Sequence, residues 1–302
     1  MPSSSGQSSI VRFARCVTFA LPLFSPCSGF VPGVVTTMST SSASLKHSSS
    51  SNNNVFSRGG FLKAAAVGLV GAGVGVAGKP VERAVAAEPL VETYWGNGCF
   101  WHVQHEMIKA EQAILGRESD QLTSYAGYAG GKKVVDGKLC YHNMRGIGDY
   151  GKAGAAEVVS VMIPSSKLPD FTKAYFDMFV RYDNGAGRVF LDRRDTQDRG
   201  GEYRSLLGLP GGLSGPMGAA VKEEAAKRGL ALMEGAGGDP DTLMRNKVFV
   251  MDTAAFPFYK GEIYHQFHND MTEDYGRKYN SLRNKYAEEG KMEETGCPER
   301  FL

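Results

Sequence analysis

The run Gly96-Asn97-Gly98-Cys99-Phe100-Trp101-His102 sets a thiol behind a short apolar stretch and ahead of two large aromatics. Phe100, Val103, Met107, Ala110 and Ile114 then recur at helical spacing, so Cys99 stands at the first turn of an amphipathic helix. Unpaired backbone N–H groups and the positive end of the helix dipole favour thiolate there. They predict a pKa below the free-cysteine value of about 8.5. The flanking glycines permit a tight turn and leave the sulfur approachable. A second reactive group is Glu157, embedded in the β-branched run 155–163. Among apolar neighbours a carboxylate is costly to ionise, so burial predicts a pKa raised toward neutrality; at an edge facing water it would stay ordinary.

Five cysteines are present, and Cys16 and Cys27 lie in the first third of the chain. The remaining three, Cys99, Cys140 and Cys297, are an odd number, which argues against a closed disulfide framework. No short paired spacing suggests a zinc site, so no metal is expected. His265 and His268 lack a thiol or carboxylate in register and read as packing residues. His102, His105, His142 and His265 could each serve a Cys–His hydrolase, but no spacing selects one. Redox chemistry remains: an attacking thiol becomes a sulfenic acid, and a mobile second cysteine resolves it. Cys297, near the terminus between Gly296 and Pro298, has that mobility; Cys140, on a glycine-rich loop, is its competitor.

These groups need a scaffold. Strands are expected at 91–96, 122–128, 155–163, 230–233 and 247–251, and the apolar pair Leu206-Leu207 follows a charge-dense segment at 193–204. Leu168, Phe171, Tyr175, Met178 and Tyr182 mark a second amphipathic helix; further helices are expected at 217–228 and within 271–291. Two strand–helix units with additional strands fit one α+β domain of about 200 residues. No repeat and no dinucleotide-type glycine fingerprint occurs.

The first third reads differently. No Asp or Glu occurs before Glu82, Ser, Thr and Asn dominate 36–54, and two short apolar blocks each follow basic residues. Such a segment has too little apolar area to offset its ordering entropy, so residues 1–87 are expected to be a disordered targeting leader, with the catalytic domain and C-terminal tail at 88–302. The second block, residues 64–77, is too short to span a bilayer comfortably, which argues against stable membrane insertion. Ser28-Gly29-Phe30-Val31-Pro32 and the small-residue pattern Ala84-Val85-Ala86 resemble the cleavage points of the multipart leaders of algae with secondary plastids. That resemblance implies a plastid address, with the thylakoid lumen first and the stroma or secretory pathway as alternatives. Beyond residue 87 there are 27 basic and 31 acidic residues, a net charge of −4, so nothing basic points to nucleic acid.

Gly98-Cys99-Phe100-Trp101 resembles the signature of the peptide methionine sulfoxide reductase A family. The similarity continues through Gly127-Tyr128-Ala129-Gly130-Gly131, Ala156-Glu157-Val158-Val159, residues 198–205 and Glu262-Ile263-Tyr264-His265-Gln266. The resemblance implies a two-layer α/β roll with a mixed sheet and a ferredoxin-like core. It also implies thiol-dependent reduction of methionine S-sulfoxide, free or protein-bound, in repair of oxidative damage. Cys99 would attack the sulfoxide sulfur and Glu157 would protonate its oxygen. Tyr203, with Tyr141 as a weaker match, would hydrogen-bond that oxygen. Phe100 and Trp101 would hold the S-methyl group, and Asp198 would orient the site. Cys297, or Cys140, would condense with the Cys99 sulfenic acid to a disulfide that thioredoxin or another dithiol reduces, with no bound cofactor and the chain a monomer. The alternative is a module that binds oxidised methionine with little turnover. His102, Ala155 and Gly200-Gly201-Glu202-Tyr203 depart from the family pattern; His102 would add a proton donor or a positive charge beside Cys99.

Overall fold

In the computed structural model, strand β1 (Leu90–Gly96) runs straight into the Cys99 turn and on into helix α1 (Phe100–Leu115). The structure describes residues 88–134 and 136–299. The expected leader at 1–87, and the address read from it, lie outside the described residues. Strands β2 (Tyr125–Ala129) and β3 (Ala156–Pro164) follow, then helix α2 (Leu168–Asp177) and the hairpin of β4 (Val180–Asp183) and β5 (Val189–Asp192). The chain continues through β6 (Leu206–Leu209), α3 (Gly218–Arg228), β7 (Ala231–Glu234), β8 (Lys247–Asp252), β9 (Tyr259–Lys260) and α4 (Gly276–Glu288).

Seven strands form one mixed sheet in the order β7-β8-β6-β1-β3-β2-β9, while β4 and β5 pair separately. β1 lies antiparallel to both β3 and β6; β8 lies parallel to β6 and β7. The parallel half is where α3 crosses over to β7, and the antiparallel half holds β3, with Glu157, and β1, which leads to Cys99. The fold is therefore the expected α+β class with a mixed sheet. Among the described residues no helix is long and apolar enough to cross a membrane.

Side chains alternate across the sheet, so each strand feeds two cores. On one face Trp95, Val159, Val161 and Ile163 pack against Phe100, Val103 and Met107 of α1 and against Phe171, Tyr175 and Phe176 of α2. On the other, Tyr94, Val158, Leu206 and Met251 are covered by Phe256 and Phe258. Glu157 shares its parity with Val159 and Val161, so it points to the helical face, beneath the start of α1. A third cluster joins α4, through Tyr279 and Tyr286, to Ile108, Leu122 and Phe267.

Two expected boundaries move. Met178 and Tyr182 continue the helical spacing of α2, but the helix ends at Asp177 and Tyr182 lies in β4, where its hydroxyl donates to the carbonyls of Arg193 and Arg194. Leu206 and Leu207 belong to β6, a four-residue strand inside the sheet between β8 and β1.

Candidate active site

Cys99 occupies the cap position of α1, preceded by Gly98 at φ +81°, a left-handed conformation that lets the strand turn into the helix. A side chain at Gly98 would also press against Arg193. Two N–H groups at the start of the helix are taken by carboxylates, as an N-terminus invites. Cys99 N–H donates to Asp198 Oδ2 at 3.2 Å, and Phe100 N–H donates to Glu157 Oε2 at 2.9 Å. Gly98 N–H donates to the carbonyl of Tyr203 at 3.2 Å, and the buried Arg193 guanidinium donates to the same oxygen at 3.0 Å. Arg193 also pairs with Asp241 at 2.8 Å. These bonds bring Cys99, Glu157, Asp198 and Tyr203 together from positions spread over 100 residues of chain.

Glu157 is 2 % exposed. Burial pushes its carboxyl up to about 8, with Asp198 reinforcing the rise; the Phe100 N–H and the Tyr150 hydroxyl, which stabilise the carboxylate, oppose it. At neutral pH this group is a neutral acid, able to give a proton. Tyr150, not anticipated from the sequence, donates to Glu157 Oε1 at 3.1 Å. Its ring stacks on those of Tyr128 and Tyr141. Its place in a glycine-rich loop gave no periodic signal; only its position seven residues ahead of Glu157 could have drawn attention.

The thiol differs from the expectation. Burial and the nearby Glu157 carboxyl push the Cys99 pKa upward, and the N–H groups of Trp101 and His102, which favour thiolate, do not compensate. The helix terminus acts in the anticipated direction but loses to desolvation. The resting pair at neutral pH is thus a thiol and a carboxylic acid.

Around them lies an aromatic wall. The Tyr141 hydroxyl is hydrogen-bonded to that of Tyr203, and burial raises both phenols. Phe100 packs on Trp101, Tyr128, Tyr141 and His265, with centroid distances of 5.1 to 6.5 Å. Trp101 stacks on His268 at 4.2 Å. His265 is 3 % exposed, and burial pushes it down to about 3, so it is a neutral ring. It packs, as expected, but it packs on the site. Glu262 fastens the same wall: it accepts from the Tyr128 hydroxyl and from the Tyr141 N–H, both at 2.7 Å. His102 faces the other side, with Nδ1 3.4 Å from the Tyr275 hydroxyl, and burial lowers its pKa. It therefore brings no fixed positive charge to Cys99.

Cys140 and Cys297 are joined in a disulfide with a Cα–Cα distance of 5.5 Å, and Cys99 is free. This corrects the inference drawn from an odd cysteine count, since three residues accommodate one bridge and one thiol. It also means that Cys297 is held, not mobile. Lys138 Nζ donates to the Gly296 carbonyl at 3.2 Å, and the Glu299 carboxylate accepts from the N–H groups of Ile263 and Tyr264 at 3.3 and 3.1 Å. Cys140, Cys297 and Glu262 bring metal-ligand atom types close together. Yet the two sulfurs are bonded to each other and both Glu262 oxygens are engaged, so the cluster has no open donor set.

A comparison with protein-family models finds no match, and no curated protein matches. Among solved structures, methionine sulfoxide reductase A of Corynebacterium diphtheriae is 18% identical over 64% of this chain and 82% of its own, with a TM-score of 0.35. Mxr1 from Saccharomyces cerevisiae in reduced form is 18% identical over 59% and 82%, with a TM-score of 0.33. Its unusual oxidised form gives 18%, 61% and 83%, with a TM-score of 0.29.

Proposed function

We propose that the chain reduces methionine S-sulfoxide, in proteins or as the free amino acid, by thiol chemistry at Cys99. The observation that carries the reading is the pairing of a buried neutral carboxylic acid with a cysteine across the start of one helix: Glu157 bonds the amide of the residue that follows Cys99. Sulfoxide sulfur is a poor electrophile until its oxygen is protonated, so an acid and a thiol in one pocket are what the reaction needs.

The elevated thiol pKa fits this sequence of events. The sulfoxide oxygen takes the Glu157 proton while the Cys99 sulfur attacks, and the thiol proton passes to the Glu157 carboxylate. Methionine leaves, Cys99 carries the oxygen as sulfenic acid, and Glu157 is again neutral. Tyr203 and Tyr141, already hydrogen-bonded to each other, would donate to the oxygen. Phe100 and Trp101 would hold the S-methyl group against their ring faces. Asp198 would hold the Cys99 amide and so the helix start.

Regeneration uses the other two cysteines in their reduced form. Cys297 attacks the sulfenic acid, releasing water and forming a Cys99–Cys297 disulfide. Cys140 then attacks Cys297, which frees Cys99 and leaves the Cys140–Cys297 bond. Support comes from the coexistence of that bond with a free Cys99. Cys297 lies nine positions beyond Glu288, the last residue of α4, a reach of up to about 30 Å once the tail is released. A thioredoxin-like dithiol would reduce the final disulfide. The leader at 1–87 would direct the chain to a plastid.

Incubating the chain with dithiothreitol and each methionine sulfoxide epimer tests the reading. Methionine should form from the S epimer only, and Cys99→Ser should form none. Binding of the S epimer without any methionine would replace the reductase reading by that of a binding module.

A further inference from the structure

Beside Cys99 lies a cavity of about 30 Å³ whose walls include Cys99, His102, Asp198, Asp270 and Met271. Met271 is 82 % exposed, and of the large exposed apolar side chains among the described residues it alone lines this cavity. Its two chain neighbours, Asp270 and Thr272, are nevertheless bonded to each other. Asp270 Oδ1 accepts from the Thr272 N–H at 2.7 Å and from the Thr272 hydroxyl at 3.1 Å, and Asp270 Oδ2 accepts from the Tyr275 hydroxyl at 2.7 Å. Arg194 lies 3.8 Å from the same oxygen. A flexible, solvated thioether is thus anchored at the edge of the cavity that Cys99 shares. Exposed thioethers are common targets of peroxide.

We infer that Met271 is a substrate of Cys99 in its own chain, an oxidant-sensitive residue that the enzyme repairs in cis; this rests on the reductase reading above. A hydroperoxide transfers one oxygen to the Met271 sulfur and leaves as the alcohol or water. Cys99 takes that oxygen, giving back the thioether and becoming a sulfenic acid. One external thiol converts the sulfenic acid to a mixed disulfide and water, and a second restores Cys99 as the reductant's disulfide. Tethering places the sulfoxide at an effective concentration on the order of millimolar, so it competes with substrates in solution until it is repaired.

The test uses the peptide 261–277, which trypsin releases between Lys260 and Arg277 and in which Met271 is the sole methionine. Cys99 is masked with methyl methanethiosulfonate, the chain is treated with hydrogen peroxide, the peroxide is removed, and dithiothreitol unmasks the thiol. The oxygen-bearing peptide should fall by about half, the share of one sulfur epimer. Its rate constant should not change when chain concentration is raised tenfold. Cys99→Ser and Cys99→Ala should keep the full signal, as should the wild-type chain without dithiothreitol, a control that does not depend on how the variants fold. Retention of the oxygen in chains that still reduce free methionine S-sulfoxide overturns the inference alone. So does a rate proportional to chain concentration, which would mean repair between molecules. Failure of both peptide and free epimer to be reduced overturns the reductase reading and this inference with it.

Discussion

Replacing Glu157 by Gln keeps the side chain's shape and an oxygen that can accept the Phe100 N–H, but removes the transferable proton. The magnitude follows from the pKa. At about 8, Glu157 is protonated over ionised by about ten to one at pH 7; at its ordinary value near 4.5 the ratio would be about one to 300. Burial therefore supplies nearly all of the acid present at neutral pH. General acids of this kind contribute roughly 10²- to 10⁴-fold, so single-turnover reduction of methionine S-sulfoxide by Glu157→Gln should slow by that factor. The pH profile adds a second signature. Wild-type single-turnover rates should fall about tenfold per pH unit above about 8, as the acid is lost, and this limb should vanish in the variant. Stability is linked to the same group: between about pH 4.5 and 8 the unfolded chain is ionised at this position and the folded one is not. The folded state thus holds the extra proton, and its stability falls as pH rises through that window by about 1.4 kcal/mol per unit at most. Urea unfolding at several pH values should show a shallower slope in the variant. A Glu157→Gln chain within about threefold of wild type, or one that retains the alkaline limb, would refute the assignment of the acid.

Three further outcomes follow from neighbouring contacts. Tyr150→Phe removes a hydrogen bond that favours the Glu157 carboxylate, so the alkaline limb should move up in pH by less than about one unit, the equivalent of about 1 kcal/mol, as read from the same rate profile. Replacing both Cys140 and Cys297 by Ser opens a link between residues 157 apart in sequence; the unfolding free energy of the oxidised chain should drop by up to about 5 kcal/mol, while dithiothreitol should no longer affect it. Gly98→Ala puts a Cβ at φ +81° and against Arg193, which should cost about 1–3 kcal/mol in urea unfolding and slow Cys99 alkylation or turnover by displacing the helix start.

The settings of Cys99 and Glu157 were legible because they depend on local pattern. Cys99 follows a strand and opens a helical repeat, and Glu157 shares the two-residue parity of Val159 and Val161, so both local settings could be read from order and spacing alone. The direction of the Cys99 shift could not, because it depends on how deeply the turn is buried and on a carboxyl 58 residues away. The Cys140–Cys297 bridge escaped for a similar reason: it closes when α4 and the tail return to the Tyr141 loop, a long-range event that cysteine parity does not encode. Tyr150 sits in a glycine-punctuated loop without periodicity, and β6 has only four residues, too few to announce a strand inside the sheet. Conversely, Met178 and Tyr182 kept helical spacing past the point where the chain leaves α2, since apolar spacing cannot tell a helix from a turn whose side chains happen to bury on the same side.

The most direct test of the central claim is a count of methionine formed without added reductant. A fully reduced chain mixed with excess methionine S-sulfoxide should release about two methionines: one turnover oxidises Cys99 and is relayed to the Cys140–Cys297 disulfide, and a second leaves Cys99 as sulfenic acid. A chain whose disulfide is already formed should release about one, and the R epimer should yield none. No methionine from a reduced chain with Cys99 intact would contradict the account.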